Sequence, residues 1–377
     1  MHFATIEDAL LEIQDGRMVI IVDDEDRENE GDLMVAAEKV TPEAINFMAT
    51  HGRGLICLAM TGQRLDDLNI PLMVSDHSNT SPYGTAFCVS IEARRNVSTG
   101  ISAFDRARTI LTAIDPKTKP SDLARPGHVF PLRARDGGVL IRAGQTEASV
   151  DLATAAALSP AGVICEIMKE DGTMARVPDL IEFSERHDIK IITVADLIRY
   201  RLRTERFIQK HGETTLPTPY GDFRMFVFES AFDQETHIAL VRGNIENGED
   251  VLVRVQTHCM TGHVFDSPAC HCHEQMNQAM AMIAQAGRGV FLYLHEMGRS
   301  RSAARLLEYH GKHGADTNET IGLHGEQREY GIGAQILAAL NIRSMRILTN
   351  HPRKLVALEA FGLKITAQVP LTAVKAM

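Results

Sequence analysis

Met18-Val19-Ile20-Ile21-Val22 runs directly into Asp23-Asp24-Glu25-Asp26-Arg27-Glu28-Asn29-Glu30-Gly31-Asp32. Five apolar residues in a row read as a buried strand. The carboxylate run after it, broken by one arginine, would ordinarily be a solvated loop. Its position argues otherwise, because the loop at the end of a buried strand is where α/β proteins place ligands. Carboxylates crowded together also repel unless a cation compensates them. The stretch predicts an α/β (α+β) protein with a magnesium-type site for a small, oxygen-rich substrate.

The rest of the chain bounds that reading. A length of 377 residues suggests two domains, each expected to be a mixed β-sheet layered with helices. A formal charge of -10 disfavours a general nucleic-acid or membrane-surface role. No basic-then-apolar leader and no long apolar window stand out, so a cytoplasmic protein without a membrane span is expected. Three cysteines are scattered (Cys57, Cys88, Cys165) and three are clustered (Cys259, Cys270, Cys272), a pattern that suggests metal rather than a disulfide framework.

Outward from the acidic run, Thr5 is placed to cap a helix carrying Ile6, Ala9, Leu10 and Ile13, and Thr41 opens another. Strands are expected at residues 54–60, 86–91, 139–141, 163–167 and 191–194. Residues 75–85 read as a polar loop, and Arg125-Pro126-Gly127-His128-Val129-Phe130-Pro131 as a second one whose prolines frame His128, which is either structural or functional. Arg142-Ala143-Gly144-Gln145-Thr146 precedes a helix whose free N–H groups would suit a phosphate. Glu166 lies inside an apolar strand and needs a partner or a purpose. Linker-like composition at residues 212–219, Gly-Glu-Thr-Thr-Leu-Pro-Thr-Pro, puts the boundary near 205–218, giving domains 1–205 and 206–377.

The second half carries His258-Cys259 and Cys270-His271-Cys272-His273, an irregular zinc spacing that competes with coincidental or redox cysteines. His263 is a further possible ligand. A helix with Met276, Ala279 and Ile283 on one face ends at Gly287, and a strand follows at 290–294. Gly298-Arg299-Ser300-Arg301 and Thr349-Asn350-His351-Pro352-Arg353-Lys354 are basic turns that could hold phosphate.

Taken together, the acidic run, residues 125–131, residues 142–147 and Glu166 resemble 3,4-dihydroxy-2-butanone 4-phosphate synthase of riboflavin biosynthesis, over about residues 3–203. The second half resembles GTP cyclohydrolase II over about 215–371, in the order of the fused bifunctional riboflavin enzymes. The first resemblance implies that ribulose 5-phosphate is converted to L-3,4-dihydroxy-2-butanone 4-phosphate and formate with Mg²⁺ or Mn²⁺ in a homodimer. It implies metal at Glu28 and Gln145, substrate contacts at Arg27, Glu28, Asp32, Arg142, Ala143, Gly144, Gln145, Thr146 and Glu166, and turnover through His128 and Glu166. Gln145 departs from the family, whose second metal ligand is a histidine. A glutamine carbonyl remains an acceptable ligand for a hard cation.

The second resemblance implies Zn²⁺ on Cys259, Cys270 and Cys272, and a nucleotide site at Arg254, Gln275, Arg299, Tyr309, Thr317, Glu326, Arg328, Thr349 and Lys354. Here the departures are several. His258 and His263 stand where the family has Glu and Asp, Met297 replaces a carboxylate, and Glu326 replaces Asp. The expectation from these is a zinc-binding domain that is inactive or regulatory, any of His258, His263, His271 or His273 closing the metal's fourth position. The alternative is a fully bifunctional enzyme that also hydrolyses GTP to the diaminopyrimidine, formate and pyrophosphate.

Overall fold

The computed structural model describes residues 3–24, 27–75, 78–231, 235–268, 271–295, 323–350 and 363–372, without the side chains of 260, 261 and 323–330. The chain divides into two compact units, Met1–Tyr200 and Arg201–Met377.

The strands of the first unit are β1 (Val19–Val22), β2 (Gly31–Ala36), β3 (Cys57–Thr61), β4 (Ile91–Ala93), β5 (Leu123–Ala134), β6 (Ala161–Glu166) and β7 (Lys190–Thr193). They form one sheet in the order β4-β5-β3-β6-β2-β1-β7. The β3–β5 and β1–β7 pairs are parallel and the others antiparallel, so the sheet is mixed. The helices are α1 (Ile6–Gln14), α2 (Pro42–Phe47), α3 (Gly62–Asp67), α4 (Ala103–Ile114), α5 (Gln145–Ala155), α6 (Val177–His187) and α7 (Val194–Thr204).

Every residue of β1 is buried, as its unbroken apolar run requires of a strand covered on both faces. Leu33, Val35 and Cys165 share one core with Ile45 and Met48 from α2 and its C-terminal turn and with Ala107 and Ile110 of α4. Side chains alternate along a strand, so Asp32 and Glu166 face the other side, which α5 packs against. Thr5 and Thr41 accept the N–H groups of Asp8 and Ala44, as expected of N-caps.

The second unit has β8 (Ile208–Thr218), β9 (Gly221–Ser230), β10 (Thr236–Arg242), β11 (Val251–Thr257), β12 (Gly289–Leu294), β13 (Ser344–Leu348) and β14 (Lys364–Val369), with α8 (Cys272–Ala286) and α9 (Leu323–Ala339). The order is β14-β13-β11-β12-β10-β9-β8. Its β11–β14 half is parallel and its β8–β10 half antiparallel. Phe223, Leu240, Phe291 and Leu252 form its core against Ala279, Met280 and Ile283 of α8, the face read from the sequence. Gly287 ends α8 in the left-handed region at φ +67, where glycine carries no Cβ penalty.

Several local expectations fail. Residues 125–131, read as a loop, belong to β5. The Pro131 carbonyl still accepts from Cys88 N at 2.9 Å, so proline's missing N–H leaves that contact intact. Of residues 139–141, read as a strand, Val139 and Leu140 lie in a buried 3₁₀ turn and Ile141 caps it in an exposed position, because Gly137 and Gly138 reverse the chain at φ +87 and +63. Of residues 86–91, Phe87 and Cys88 make isolated bridges and only Ile91 enters a strand. The linker-like 212–218 segment is the outer part of β8, the edge strand, where half of the backbone groups face away from the sheet and Pro217 is tolerated.

Candidate active sites

The loop between β1 and β2 folds around one buried carboxylate. Asp23 accepts the N–H groups of Glu28 (3.2 Å) and Glu30 (2.9 Å) and an Nη1–H of Arg27 (2.7 Å). Tyr83 lies under the Arg27 guanidinium at 5.2 Å and donates its hydroxyl hydrogen to the Arg27 carbonyl. Arg176 donates to the Glu28 carbonyl at 2.7 Å. Glu25 and Asp26 lie outside the described residues.

Arg27 Nη1 also donates to Gln145 Oε1 at 2.9 Å, and Arg27 Nη2 stands 2.9 Å from Glu28 Oε1. The two residues expected to hold a cation therefore already converge on a positive group. Gln145 is the first residue of α5 and is buried, with Gly144 as N-cap. A Cβ on Gly144 would lie 2.5 Å from Arg142 Nη1 and 3.1 Å from Arg27 Nη2, so the two arginines close around a glycine. Arg142 is fixed by Glu147 Oε2 at 2.6 Å and Thr85 Oγ1 at 3.1 Å. Ala143 and Thr146 complete the same turn into the helix, Thr146 buried.

On the sheet, Asp32 pairs directly with Glu166. Burial, then the charges of Glu166, Glu28, Asp23 and Glu30, push the Asp32 carboxyl well above the usual carboxylate range. Burial also raises Glu28 despite Arg27, and raises Glu30. Acids that resist ionisation together leave room for added positive charge, and an oxygen donor set of this kind suits a hard divalent cation.

Leu55 donates its N–H to Glu166 Oε2 at 2.8 Å. Cys57 pairs with Phe130 in parallel register, and His128 lies two residues before Phe130 on β5, so the two point to the same face of the strand. Asp23, Tyr83, Thr85, Arg176 and Glu147 belong to this site and were not singled out from the sequence. Only Asp23 carried a signal, as the first carboxylate after a buried strand.

In the second unit two expected residues sit beyond the C-terminal ends of adjacent parallel strands, the usual ligand position of an open α/β sheet, Cys259 after β11 and Thr349 after β13; His295, not singled out from the sequence, follows β12 in the same way. Arg254 binds Gln256 Oε1 (2.9 Å), Gln275 Oε1 (3.0 Å) and the Leu348 carbonyl (3.0 Å), tying β11 and β13 to α8. Burial lowers its guanidinium to about 10. Thr349 pairs through its N–H with Val369. Cys259 Sγ accepts the Gly262 N–H at 3.4 Å. Burial, then the Cys259 and Cys272 sulfurs, push the Tyr293 phenol up to about 12, so two of the three expected zinc ligands gather around one ring.

Tyr293 Oη lies 2.7 Å from His258 Nδ1 and 2.9 Å from His263 Nδ1, and His263 Nδ1 accepts the Cys259 N–H at 3.1 Å. A backbone N–H only donates, so His263 Nδ1 carries a lone pair and its proton sits on Nε2. The Nδ1 lone pair of His263, one expected candidate for the fourth zinc position, is thus already taken by that N–H. His271 is exposed and ion-paired with Glu274 at 3.5 Å, and His273 stands 4.0 Å from Asp266. Cys270, Met297, Arg299, Tyr309, Thr317 and Lys354 lie outside the described residues, as do the side chains of Glu326 and Arg328. Among the described residues no group of three or more His, Cys, Asp or Glu could hold a metal without others, and no helix is long and apolar enough to cross a membrane.

These features define a two-unit mixed α/β protein with one carboxylate-rich and one thiol–imidazole site. Residues 7–200 match the family 3,4-dihydroxy-2-butanone 4-phosphate synthase, and residues 209–370 match GTP cyclohydrolase II. The riboflavin biosynthesis protein RibBA of Aquifex aeolicus is 54% identical, covering 98% of this chain and 92% of that one. The probable bifunctional riboflavin biosynthesis protein RIBA 2 of Oryza sativa is 48% identical over 98% of this chain and 68% of its own length. Among solved structures, RibBX of A. baumannii, described as a two-domain 3,4-dihydroxy-2-butanone 4-phosphate synthase, superposes with a TM-score of 0.80 at 38% identity, covering 98% and 100% of the two chains. A 3,4-dihydroxy-2-butanone 4-phosphate synthase in complex with two magnesium ions matches with a TM-score of 0.51 at 41% identity, covering 54% of this chain and 98% of that one.

The chain belongs to the 3,4-dihydroxy-2-butanone 4-phosphate synthase family, among the riboflavin biosynthesis proteins that join the synthase to a GTP cyclohydrolase II domain. The synthase expected of the first half stands. For the second half the comparisons favour the bifunctional alternative over the inactive domain, a correction to the weight given to its substitutions.

Proposed function

We propose that the protein performs two steps of riboflavin biosynthesis, a Mg²⁺- or Mn²⁺-dependent synthase in domain 1–205 and a Zn²⁺-dependent GTP cyclohydrolase II in domain 206–377. It works as a cytoplasmic homodimer. The observation that carries the first assignment is the convergence of Glu28 and Gln145 on the Arg27 guanidinium, together with the buried Asp32 and its cross-strand partner Glu166.

Ribulose 5-phosphate must be enolised, rearranged in its carbon skeleton and cleaved to release formate. Arg142 and the N–H groups at the start of α5, from Ala143 to Thr146, hold the phosphate. Glu28 and Gln145 hold the divalent cation, which supplies a Lewis acid for charge developing on the sugar oxygens. Arg27 orients both ligands and contacts the substrate. Asp32, whose carboxyl burial pushes well above the usual carboxylate range, and Glu166 beside it exchange protons with the substrate hydroxyls. His128, on β5, serves as base. Formate release from ribulose 5-phosphate with Mg²⁺ tests the assignment, and no release by folded protein would overturn it.

For the second unit, Cys259, Cys270 and Cys272 hold zinc, which supplies the Lewis acid for hydrolysis at the guanine ring. Arg254 and Gln275 form a half-buried polar floor for the nucleotide, with Arg299, Tyr309, Thr317, Glu326, Arg328, Thr349 and Lys354 as its further contacts. Zinc-loaded protein incubated with GTP and Mg²⁺ should give formate, pyrophosphate and the diaminopyrimidine, and Arg328→Ala should stop it. Absence of these products with zinc bound would return the second unit to a non-catalytic role.

A further inference from the structure

The carboxylate of Glu92 grips His128 twice. Its Oε2 lies 2.6 Å from His128 Nδ1 and accepts the His128 main-chain N–H at 3.2 Å. An oxygen that accepts a backbone N–H is acting as an acceptor, and an ionised carboxylate has no other role, so the proton between Oε2 and the ring belongs to Nδ1. His128 is then held with its Nε2 lone pair outward, on a side chain 44% exposed against 15% for Glu92. The fold makes room for this contact at some cost. A Cβ on Gly100 would overlap the Glu92 carboxylate, and Gly100 has φ +94 besides, while a Cβ on Gly127 would overlap the Ile91 carbonyl. Both positions require glycine so that β4 and β5 can close on the pair. The β4–β5 ladder shifts register between Ile91, opposite Val129, and Glu92, opposite Ala124, and Glu92 meets His128 at that irregularity. Glu92 Oε1 is buried and has no hydrogen-bond partner. A carboxylate placed for fold stability alone would not leave a buried oxygen unpaired.

We propose that Glu92 is the positioning residue of His128: it fixes the Nδ1–H tautomer, aims Nε2 at the substrate, and offsets the positive charge that forms when Nε2 takes a proton. The arrangement follows the logic by which a buried carboxylate orients a catalytic imidazole in hydrolytic triads. It rests on the reading of His128 as a proton-transfer residue, and the test separates the two.

The full-length protein and its variants Glu92→Gln, Glu92→Asp and His128→Gln are compared for kcat and KM with ribulose 5-phosphate and Mg²⁺. The imidazole of His128 is followed by ¹⁵N-edited NMR. Glu92→Gln should lose roughly 10²-fold or more in kcat with KM within about threefold, and the His128 Nδ1–H signature should be lost or mixed. Glu92→Asp, which keeps the charge, should recover part of both. If Glu92→Gln retains wild-type kcat while His128→Gln is inactive, or if the tautomer is unchanged in Glu92→Gln, the positioning role is wrong. Wild-type turnover in His128→Gln would instead remove the reading beneath it.

Discussion

The two sites respond to protons with opposite signs. At the first site the shifted groups are acids raised by burial and by one another, Asp32 above all, so a bound proton relieves the crowding there. In the second they are histidines lowered by burial: His237 falls to about 4, and His263 is also depressed. His237 is fully enclosed and its Nδ1 accepts the His295 N–H at 3.2 Å, a bond that protonation would break. One site is short of positive charge, and the other is built from neutral nitrogen and sulfur. The difference matches hard and soft cation chemistry, oxygen donors for Mg²⁺ or Mn²⁺ and thiols for Zn²⁺.

The largest effect is expected where the acidic site loses its charged metal ligand. Glu28→Gln should reduce formate release from ribulose 5-phosphate by roughly 10³-fold, with circular dichroism unchanged. Near wild-type turnover at saturating Mg²⁺ would remove Glu28 from the cation site.

Next comes the thiol site. Cys259→Ser should lower bound zinc well below one per chain and destabilise the second unit by several kcal/mol, because structural metal binding is folding free energy. Full zinc content after changing Cys259, Cys270 and Cys272 together would place the metal elsewhere.

Charge crowding predicts a variant that is more stable and less active. Asp32→Asn removes an acid whose ionisation the folded state disfavours. In EDTA at neutral pH the variant should melt a few degrees higher, about 1 kcal/mol or more for a buried repelling charge. A group raised on folding contributes its stability below its unfolded value, near 4 for Asp, and loses it as pH rises through the folded value. The advantage of Asp32→Asn should therefore grow with pH, and Mg²⁺ should shrink it. A depressed histidine works the other way: the second unit should lose stability as pH falls from about 6.5 toward 4, and His237→Phe should flatten that loss. Melting of both units in the same direction across that window would contradict the contrast between the sites.

The smallest effect is expected at the family departure. Gln145→His trades the Arg27 contact for an imidazole and should change turnover less than about tenfold, with equal or tighter metal binding. A collapse in folded protein would show that the Gln145 amide has a role beyond the cation.

Much of this was legible in the sequence for physical reasons. Val19–Val22 could only be a buried strand, the face of α8 followed from helical spacing, and the acidic run stood where a ligand loop belongs. The failures have causes too. Residues 125–131 look like a loop because prolines and glycine usually break strands, yet their carbonyls still pair and Gly127 is needed for close approach. The edge strand β8 has linker composition because one of its sides faces away from the sheet. Tyr83 and Thr85 act by long-range contact with Arg27 and Arg142, which no local pattern encodes. Nor could the sequence reveal which ring nitrogen of His263 carries its proton, the detail that bears on the fourth zinc position.

The most direct test of two independent activities uses formate, a product common to both reactions. Formate is measured from ribulose 5-phosphate with Mg²⁺ and, separately, from GTP with zinc-loaded protein, in the wild type, Glu28→Gln and Cys259→Ser. The wild type should release it from both substrates, Glu28→Gln only from GTP, and Cys259→Ser only from ribulose 5-phosphate. No formate from GTP with zinc bound, or loss of both activities in Glu28→Gln, would contradict the account.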